Sequence, residues 1–317
     1  MEETMRHVRS RPSSLTRRAV LLTAAATAAA AFSAQQVPHL RALPSAVGRE
    51  GTKNNTLVDN PQADEPQVID PGPSLESVQA LPPQQVPLSR QDAIARFAGR
   101  SPRYWGLEAP GVVTRLPQGS PGVAVTLDFC GGSGGNGFDH ALLAVLRDRR
   151  IPAALFLNYR WIAANSAIAR QLAADPVFEL ANHGTSHRPL SITGRSAYGI
   201  PGTRDVGEAY DEVMTNDAAL MQLTGTRARF FRPGTAYLDD AAADLVGAMG
   251  LTAAGFSINA DGGATYPVAT VAREAAKARP GEIIICHGNH PGSGTAEGMA
   301  RALDSLAARG TPFVHLT

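Results

Sequence analysis

The sequence predicts an α/β protein, folded as an incomplete TIM-like barrel of about seven parallel strands. From residue 122 onward, short apolar runs alternate with amphipathic helical stretches, a pattern typical of βα units on a parallel sheet. The chain has 317 residues, enough for a domain of this kind, and its two cysteines exclude a disulfide-dense scaffold. An open doubly wound sheet is the alternative fold. Both folds place functional groups beyond the carboxyl ends of the strands.

The first 33 residues are predicted to be an export signal that is removed by cleavage. Five arginines precede an uncharged apolar run over residues 19–32, which is shorter than the roughly 20 residues that a membrane-spanning helix needs. Small residues flank position 32, as a cleavage site over residues 31–33 requires. Because Arg17 and Arg18 resemble a twin-arginine signal, we expect a secreted or cell-envelope protein without a membrane span after cleavage.

Two segments separate this signal from the main domain. Residues 34–88 are predicted to be a flexible linker, because they are rich in Pro, Gln, Asn, Ser and Gly and show no hydrophobic period. Residues 89–121 are predicted to form an extension that packs on the domain over residues 122–317. Within the extension, Trp105 and Leu107 are the expected packing residues.

The elements of the domain follow from the spacing of apolar residues. Strands are predicted where a short apolar or β-branched run is bounded by turn residues. They cover residues 123–128, 153–157, 178–181, 229–231, 252–257, 282–286 and 312–316. Helices are predicted where apolar residues recur every three or four positions. They cover residues 139–149, 160–174, 204–223, 239–249, 268–278 and 296–309, preceded by a short helix that Ser89 caps and that ends near Phe97.

The net charge of +1 argues against a role in binding nucleic acid. The five arginines before residue 34 face only two glutamates, so this segment carries +3 and the rest of the chain carries −2. Electrostatic attraction to a phosphate backbone needs a strong basic excess. The domain is therefore not expected to bind nucleic acid.

The candidate functional residues follow the ends of the predicted strands. They are Asp128 and Cys130 after the first strand, His183 and His187 after the third, Arg232 after the fourth, Asp261 after the fifth and His287 after the sixth. A random scatter of polar residues would not concentrate on one face of the sheet. This distribution indicates an enzyme.

The two histidines at 183 and 187 are candidate metal ligands. Their spacing would place both rings on one face of a helix, but Gly184 and Pro189 favour a tight loop instead. No Glu follows His183, which excludes the zinc-protease motif. Surface or capping histidines are the alternative interpretation, and a position at a strand end beside Asp128 disfavours it.

The remaining candidates form two pairs. Arg232 ends a strand with buried neighbours and needs a carboxylate partner, for which Asp128 is the natural candidate. A structural ion pair is the alternative. His287 ends an apolar strand and is a candidate general acid, tuned by a carboxylate such as Asp261. For both aspartates, a turn without catalytic function is the alternative interpretation.

Together these motifs resemble the polysaccharide deacetylase family, carbohydrate esterase family 4, also called the NodB homology domain, over residues 122–317. The five matching stretches are residues 126–128, 183–187 and 229–234, Asp261, and residues 285–287. The resemblance implies a distorted (β/α) barrel and metal-dependent removal of N-acetyl or O-acetyl groups from a carbohydrate. The implied enzyme class is a hydrolase acting on carbon–nitrogen bonds other than peptide bonds.

The resemblance also implies a role for each residue. His183 and His187 would hold a divalent metal, zinc or cobalt. Asp128 would be the general base, oriented by Arg232. His287 would protonate the leaving amine, and Asp261 would assist it.

One position departs from the family pattern, which usually reads Thr-Phe-Asp-Asp-Gly with the second Asp as third metal ligand. Here that position is Phe129, which cannot bind a metal. The Asp-x-Cys-Gly-Gly form is similar to a divergent bacterial branch of the family. Asp128, Asp139 or a Cys130 thiolate could complete the site. Without a metal, the alternatives are a metal-independent amidohydrolase on the same fold and a non-catalytic glycan-binding module at the cell surface.

The two cysteines are candidates for a disulfide bond. Cys130 and Cys286 lie near the ends of the first and sixth predicted strands on the same face of the sheet. An oxidising envelope would permit the bond if the Cα atoms come within about 7 Å. A bridged Cys130 could not also bind a metal.

Overall fold

The structure is a computed structural model that describes residues 88–317. The predicted export signal and all but the last residue of the predicted linker lie outside the described residues, and both stay predictions. Within the described part of the chain, no helix is long and apolar enough to cross a membrane.

The described residues form eleven strands and eight helices. In chain order the strands are β1 (Trp105–Gly106), β2 (Val112–Val113), β3 (Val123–Phe129), β4 (Ala153–Leu157), β5 (Phe178–Asn182), β6 (Phe230–Phe231), β7 (Leu238–Asp239), β8 (Thr252–Ala254), β9 (Ile258–Asn259), β10 (Ile283–His287) and β11 (Phe313–Val314). The helices are α1 (Arg90–Phe97), α2 (His140–Asp148), α3 (Tyr159–Ala164), α4 (Ser166–Ala173), α5 (Val206–Thr224), α6 (Asp240–Ala248), α7 (Val268–Ala275) and α8 (Thr295–Ala308).

A curled parallel sheet forms a half-barrel, which confirms the predicted fold class. Its strands lie in the order β2-β8-β6-β5-β4-β3-β10-β9, and β11 pairs with β3. Every strand pair in this sheet is parallel. The carboxyl ends of the strands therefore share one rim, where functional groups of such folds collect.

Strand β3 shows how the sequence separates the two faces of the sheet. Successive side chains of a strand point to opposite faces. Val125, Leu127 and Phe129 belong to the apolar core that includes the helices, whereas Ala124 belongs to a second cluster inside the half-barrel. By the same alternation, Asp128 faces the interior and Phe129 faces the helices.

Small side chains fill much of the interior of the half-barrel. Ala154, Ala181 and Ala254 lie there beside Phe156. Because alanines leave space beneath the rim, a large side chain from the rim can reach inward, and the Arg232 guanidinium lies 4.1 Å from the centre of the Phe156 ring.

All seven predicted strands are present, and the strand predicted over residues 153–157 coincides with β4. The helix predicted over residues 160–174 is divided into α3 and α4. Asn165 lies between them with φ −128°, and its side-chain amide donates hydrogen bonds to the carbonyls of Asn136 and Trp161. An asparagine side chain that bonds the backbone in this way competes with the helical hydrogen bonds.

The segment before β3 is joined to the domain at three places. Helix α1 packs on α5, where Phe97 is fully buried and the Tyr210 hydroxyl donates to the carbonyl of Leu88 at 3.0 Å. Strand β1 pairs with β7, and its Trp105 ring contacts Tyr237. Strand β2 extends the half-barrel beside β8. The extension thus completes one edge of the sheet.

Candidate active site

The rim of the half-barrel brings the predicted site residues together. Asp128 on β3 and His287 on β10 lie directly opposite each other in the register of the two strands. Asn182, the last residue of β5, pairs with Phe231, the last residue of β6. The next residue of each strand is therefore also a neighbour, which places His183 beside Arg232.

Arg232 and Asp128 form a buried ion pair. The guanidinium Nη1 donates to Asp128 Oδ1 at 2.7 Å and to Thr126 Oγ1 at 3.0 Å. Its other nitrogens donate to the carbonyls of Ala254 and Gly255 at 3.1 and 2.7 Å. Arg232 has no solvent exposure, so these bonds replace the water that its charge would otherwise require. The predicted partnership of the two residues is present.

The surroundings of Asp128 keep its carboxylate ionised. Burial alone raises the pKa of Asp128, but the charges of Arg232, His183 and His287 outweigh burial and hold the pKa below its usual value. Because Oδ1 accepts from Arg232, Oδ2 is the oxygen nearer to His183, 3.6 Å from Nε2. The carboxylate therefore has one oxygen fixed and one oxygen directed toward the histidines.

His183 is oriented by a backbone carbonyl. Its Nδ1 lies 2.9 Å from the carbonyl oxygen of Arg232 and must donate there, because a carbonyl only accepts. In the neutral ring, Nε2 then carries the lone pair, and this atom lies 3.8 Å from Cys130 Sγ. The bond from Nδ1 to the carbonyl of Arg232 therefore sets the orientation and tautomer of the His183 ring, as is usual for metal-binding histidines.

Cys130, His183 and His187 form a group that could hold a metal ion. One possible ligand atom from each residue lies within 4.8 Å of the other two. Burial raises the pKa of the Cys130 thiol, but hydrogen bonds with the histidines outweigh burial and hold it well below its usual value. His187 Nε2 is buried without a hydrogen-bond partner. A divalent cation would satisfy this nitrogen and the thiolate together.

Of the three candidates for a third ligand, Cys130 is the one that joins the histidines. Asp139 caps α2, where its Oδ1 accepts from the backbone N–H of Leu142 at 3.1 Å. Asp128 is held by Arg232 and is outside the group of three. Phe129 packs against Trp161, with ring centres 4.7 Å apart, on the other face of the sheet.

The disulfide considered for Cys130 and Cys286 is not formed, and both thiols are free. Cys286 Sγ donates instead to the carbonyl of Thr126 at 3.7 Å within the core of the sheet. The two residues come from neighbouring strands, but the side chain of Cys286 belongs to the core that includes the helices, whereas Cys130 faces the histidines. Cys130 is thus available as a ligand.

Glu212 on α5 holds the loop between the two histidines, and the sequence analysis did not identify it. Its buried carboxylate accepts from the backbone N–H groups of Ser186 at 2.9 Å and Arg188 at 3.2 Å. His187 between them adopts a left-handed backbone with φ 62°, which is unusual for a residue with a side chain. Gly234 packs so closely on His187 that a Cβ atom there would collide with it. An acidic residue within the buried face of a predicted helix is the signal that could have identified Glu212.

Asparagine side chains fix the backbone around His183. Asn158 Nδ2 donates to the carbonyls of His183 and Gly184 at 2.9 and 2.7 Å. Asn182 Oδ1 accepts from the backbone N–H of Gly184 and from Asn216 Nδ2, both at 2.9 Å. The three asparagines are buried, so they support the site through hydrogen bonds that water does not weaken.

Asp261 and His287 form the second predicted pair. His287 Nδ1 lies 2.9 Å from Asp261 Oδ1, and its backbone N–H donates to Oδ2 at 2.7 Å. Thr295 Oγ1 donates to the same Oδ2 at 3.0 Å. Burial lowers the pKa of His287, but the bond with Asp261 outweighs burial and raises it well above its usual value. The ring is therefore held as a proton donor.

A cavity of about 460 Å³ lies at the rim, and Asp128, His187 and His287 line it. Tyr198 and Tyr266 are among its other lining residues. A carboxylate, a candidate metal ligand and a charged imidazole thus face one space. This is the geometry of a hydrolytic site, with a base and an acid beside a position for an electrophile.

The sequence profile described as "Polysaccharide deacetylase" matches residues 116–254. The matched segment contains Asp128, Cys130, both predicted metal-binding histidines and Arg232. The match supports the family resemblance of the motifs and confirms the predicted enzyme class, a hydrolase of carbon–nitrogen bonds other than peptide bonds.

Two known proteins are similar to this chain at low sequence identity. An uncharacterized protein of Streptomyces coelicolor is 27% identical over 204 residues, which span 63% of this chain and 72% of that protein. A family 4 carbohydrate esterase from Bacillus anthracis is 18% identical, with a TM-score of 0.52 over 68% of this chain and 94% of that one.

One structural neighbour of the deacetylase fold is described as inactive. A CE4 family pseudoenzyme from Bacillus anthracis is 17% identical, with a TM-score of 0.54 over 65% of this chain and 67% of that one. At these identities the structural likeness shows the fold alone. Activity in this chain must therefore be argued from its own residues.

We predict that Asp261→Asn moves the alkaline limb of the pH–rate profile to lower pH by about one unit or more. The raised pKa keeps His287 protonated, and the acid is lost as the pH rises through that pKa. An amide cannot stabilise the imidazolium, so the loss begins earlier. The profile of kcat against pH measures the shift. Thr295→Val, which keeps the carboxylate, should move the limb less, and an unchanged limb in Asp261→Asn would contradict the assignment.

We predict that Glu212→Ala weakens zinc binding by about 10- to 100-fold, because the loop that carries His187 loses its acceptor. Competition with a chromophoric chelator measures the affinity. Glu212→Gln, which retains an acceptor of similar shape, should restore part of it. Asp211→Ala is the control, since Asp211 lies on the same helix and pairs at the surface with Arg90. Equal affinities in Glu212→Ala and Asp211→Ala would rule out the positioning role.

Proposed function

We propose that the chain is a secreted, metal-dependent hydrolase that removes acetyl groups, N-acetyl and possibly O-acetyl, from a carbohydrate polymer or oligomer. The observation that carries the proposal is the convergence of three groups on one rim: the Asp128–Arg232 pair, the His287–Asp261 pair, and Cys130 with two histidines. One protein of similar fold is a peptidoglycan N-acetylglucosamine deacetylase. Another, a family 4 carbohydrate esterase from Streptomyces lividans, has a structure in complex with acetate. Export is proposed from the arginine-rich first 33 residues.

The donor set fits a divalent metal of the zinc or cobalt type. Cys130, His183 and His187 offer one thiolate and two imidazoles, and three protein ligands with an open position are typical of catalytic zinc sites. The unpartnered Nε2 of His187 is the atom that a metal would satisfy. When bound, such an ion supplies Lewis acidity toward an acetyl carbonyl and a water molecule.

Asp128 and His287 supply the proton transfers. Asp128 accepts a proton from water at Oδ2, while Arg232 holds Oδ1 in place. The hydroxyl adds to the acetyl carbon, and the carbon–nitrogen bond breaks. His287 donates a proton to the leaving nitrogen, and the products are acetate and an amine. Asp261 stabilises the imidazolium before the transfer.

Two other functions compete with the metal-dependent hydrolase. Phe129 in place of the usual carboxylate favours a metal-independent amidohydrolase on the same fold. The pseudoenzyme among the structural neighbours favours a glycan-binding module without catalysis. Against such a module, the base, its orienting arginine and the acid–carboxylate pair are all present with close hydrogen bonds.

We predict that the purified chain releases acetate from acetylated glycans and that Asp128→Asn lowers kcat by about 100-fold or more, because the base is lost. Enzymatic acetate determination measures the release, and thermal unfolding of each variant controls for folding. Removal of metal by a chelator should abolish the release, and added zinc should restore it. Release that resists chelation would favour the metal-independent amidohydrolase. Release that persists in both Asp128→Asn and His183→Ala would overturn the mechanism.

We predict about one zinc ion per chain, bound with Cys130 as third ligand. Elemental mass spectrometry should show a loss of zinc in Cys130→Ser and its retention in Cys286→Ala, the control with the other cysteine. In the cobalt-substituted protein, a sulfur-to-metal charge-transfer band should be present and should disappear in Cys130→Asp. A band that persists in Cys130→Asp, or full zinc content in Cys130→Ser, would exclude the thiolate as ligand.

A further inference from the structure

The extension forms a second groove beside the rim cavity. This groove, of about 360 Å³, is lined by residues 104–109 and Tyr237. Leu107 lines both the groove and the rim cavity. Tyr198 lines the cavity and contacts Tyr237 of the groove, with ring centres 5.2 Å apart. The two spaces therefore lie side by side.

Four aromatic residues line these two spaces: Tyr104, Trp105, Tyr198 and Tyr237. We call them the aromatic platform. Trp105 and Tyr237 lie 5.9 Å apart between ring centres, and the Arg195 guanidinium covers Trp105 at 5.2 Å. Tyr198 is 73% exposed and Tyr104 is 55% exposed. The pairing of β1 with β7 holds Trp105 in place. The rings of Tyr104 and Tyr198 are thus open to solvent, whereas Trp105 and Tyr237 are half-buried and Arg195 covers one face of the Trp105 ring.

The backbone at Tyr198 is strained without a gain in burial. Ala197 and Ile200 exchange backbone hydrogen bonds at 3.1 and 2.9 Å, so Tyr198 and Gly199 are the two central residues of a tight turn. Both have positive φ, 52° and 75°, as in a type I′ turn. Asn and Gly are the usual residues at such positions, and a bulky residue there is an outlier. An exposed tyrosine in a strained backbone conformation gains no burial in return, which points to a ligand that packs on its ring.

We propose that the aromatic platform is a second sugar subsite, which binds the glycan unit next to the one that is deacetylated. This inference rests on the proposed function. A pyranose ring has apolar C–H faces that pack on aromatic rings, and tyrosine adds a hydroxyl for the sugar's polar edge. Arg195 and Glu108 provide further polar groups beside the rings, with opposite charges. The surroundings therefore favour a neutral glycan over a strongly charged one.

The subsite specifies the class of substrate as an oligomer or polymer. A monosaccharide would occupy the cavity beside Asp128 and leave the platform empty. A longer chain would reach both spaces at once, and the added contacts would strengthen binding of the substrate. The catalytic efficiency should therefore rise with chain length until the platform is filled.

The test compares acetate release from a series of substrates. The series runs from the monomer to the pentamer of β-1,4-linked N-acetylglucosamine, with acetylated xylo-oligosaccharides as a second glycan and 4-nitrophenyl acetate as a small substrate. In the wild type, we expect kcat/KM to rise by about tenfold or more from monomer to tetramer. Tyr198→Asn keeps a residue suited to positive φ and removes the ring. It should lower kcat/KM for the tetramer by about tenfold, mainly through KM, and should change 4-nitrophenyl acetate hydrolysis less.

Met221→Ala is the control variant, because Met221 is 50% exposed on α5 and lines neither space. It should leave the ratio of tetramer to 4-nitrophenyl acetate activity unchanged. Acetate release with a flat chain-length profile, or an unchanged ratio in Tyr198→Asn, would overturn the subsite while the proposed function stands.

Binding provides a readout that does not depend on catalysis. The chain has two tryptophans, and Trp161 is fully buried whereas Trp105 lies in the platform. We therefore expect the tryptophan emission of the Asp128→Asn variant to change when it is titrated with the N-acetylglucosamine tetramer or the acetylated xylo-tetramer. Adding Tyr198→Asn to this variant should lower the affinity by about tenfold. A change in emission without acetate release from any wild-type sample would support the subsite and refute the proposed hydrolase. No change with either glycan would refute the subsite.

Discussion

The site depends on a single constraint, the need to satisfy a guanidinium that has no access to water. Arg232 meets this need by donating to Asp128, Thr126 and the carbonyls at positions 254 and 255. These partners belong to β3 and to the end of β8, so one side chain ties together strands from both sides of the half-barrel. The alanines of the interior make the space, and the Phe156 ring supports the cation. Asp128 is consequently part of the barrel's internal architecture.

Two histidines at the rim are held through the same ring atom by different acceptors. His183 Nδ1 meets a neutral carbonyl, whereas His287 Nδ1 meets the Asp261 carboxylate. A carbonyl fixes the orientation of the ring without placing a full negative charge beside Nδ1, an arrangement common among metal-binding histidines. A carboxylate stabilises the charged ring, as a proton donor requires. The two rings thus differ in the charge of the group that Nδ1 meets.

Much of the fold and of the site follows from the sequence. The apolar run over residues 123–128 predicts the strand that ends near Asp128, and the seven apolar runs predict seven of the eleven strands. The four strands that were not predicted, β1, β2, β7 and β9, have two residues each and lie outside the apolar runs, so their pairing with distant segments forms them. The sequence could not show which of the three candidate ligands lies beside the histidines, because the position of Cys130 depends on the backbone between β3 and the glycines after it. Glu212 is distant in sequence from the loop that it supports, and tertiary contact alone reveals it.

The packing of Phe129 restricts which side chains position 129 can hold. Its ring belongs to an aromatic cluster with Phe138 and Trp161 behind the sheet. A carboxylate introduced at this position would lose that packing and would be buried among apolar rings until the surrounding residues also changed. A Cys130 thiolate can lie beside His183 and His187 without disturbing this aromatic cluster. In this chain, a carboxylate at position 129 would therefore need compensating changes at Phe138 and Trp161 as well.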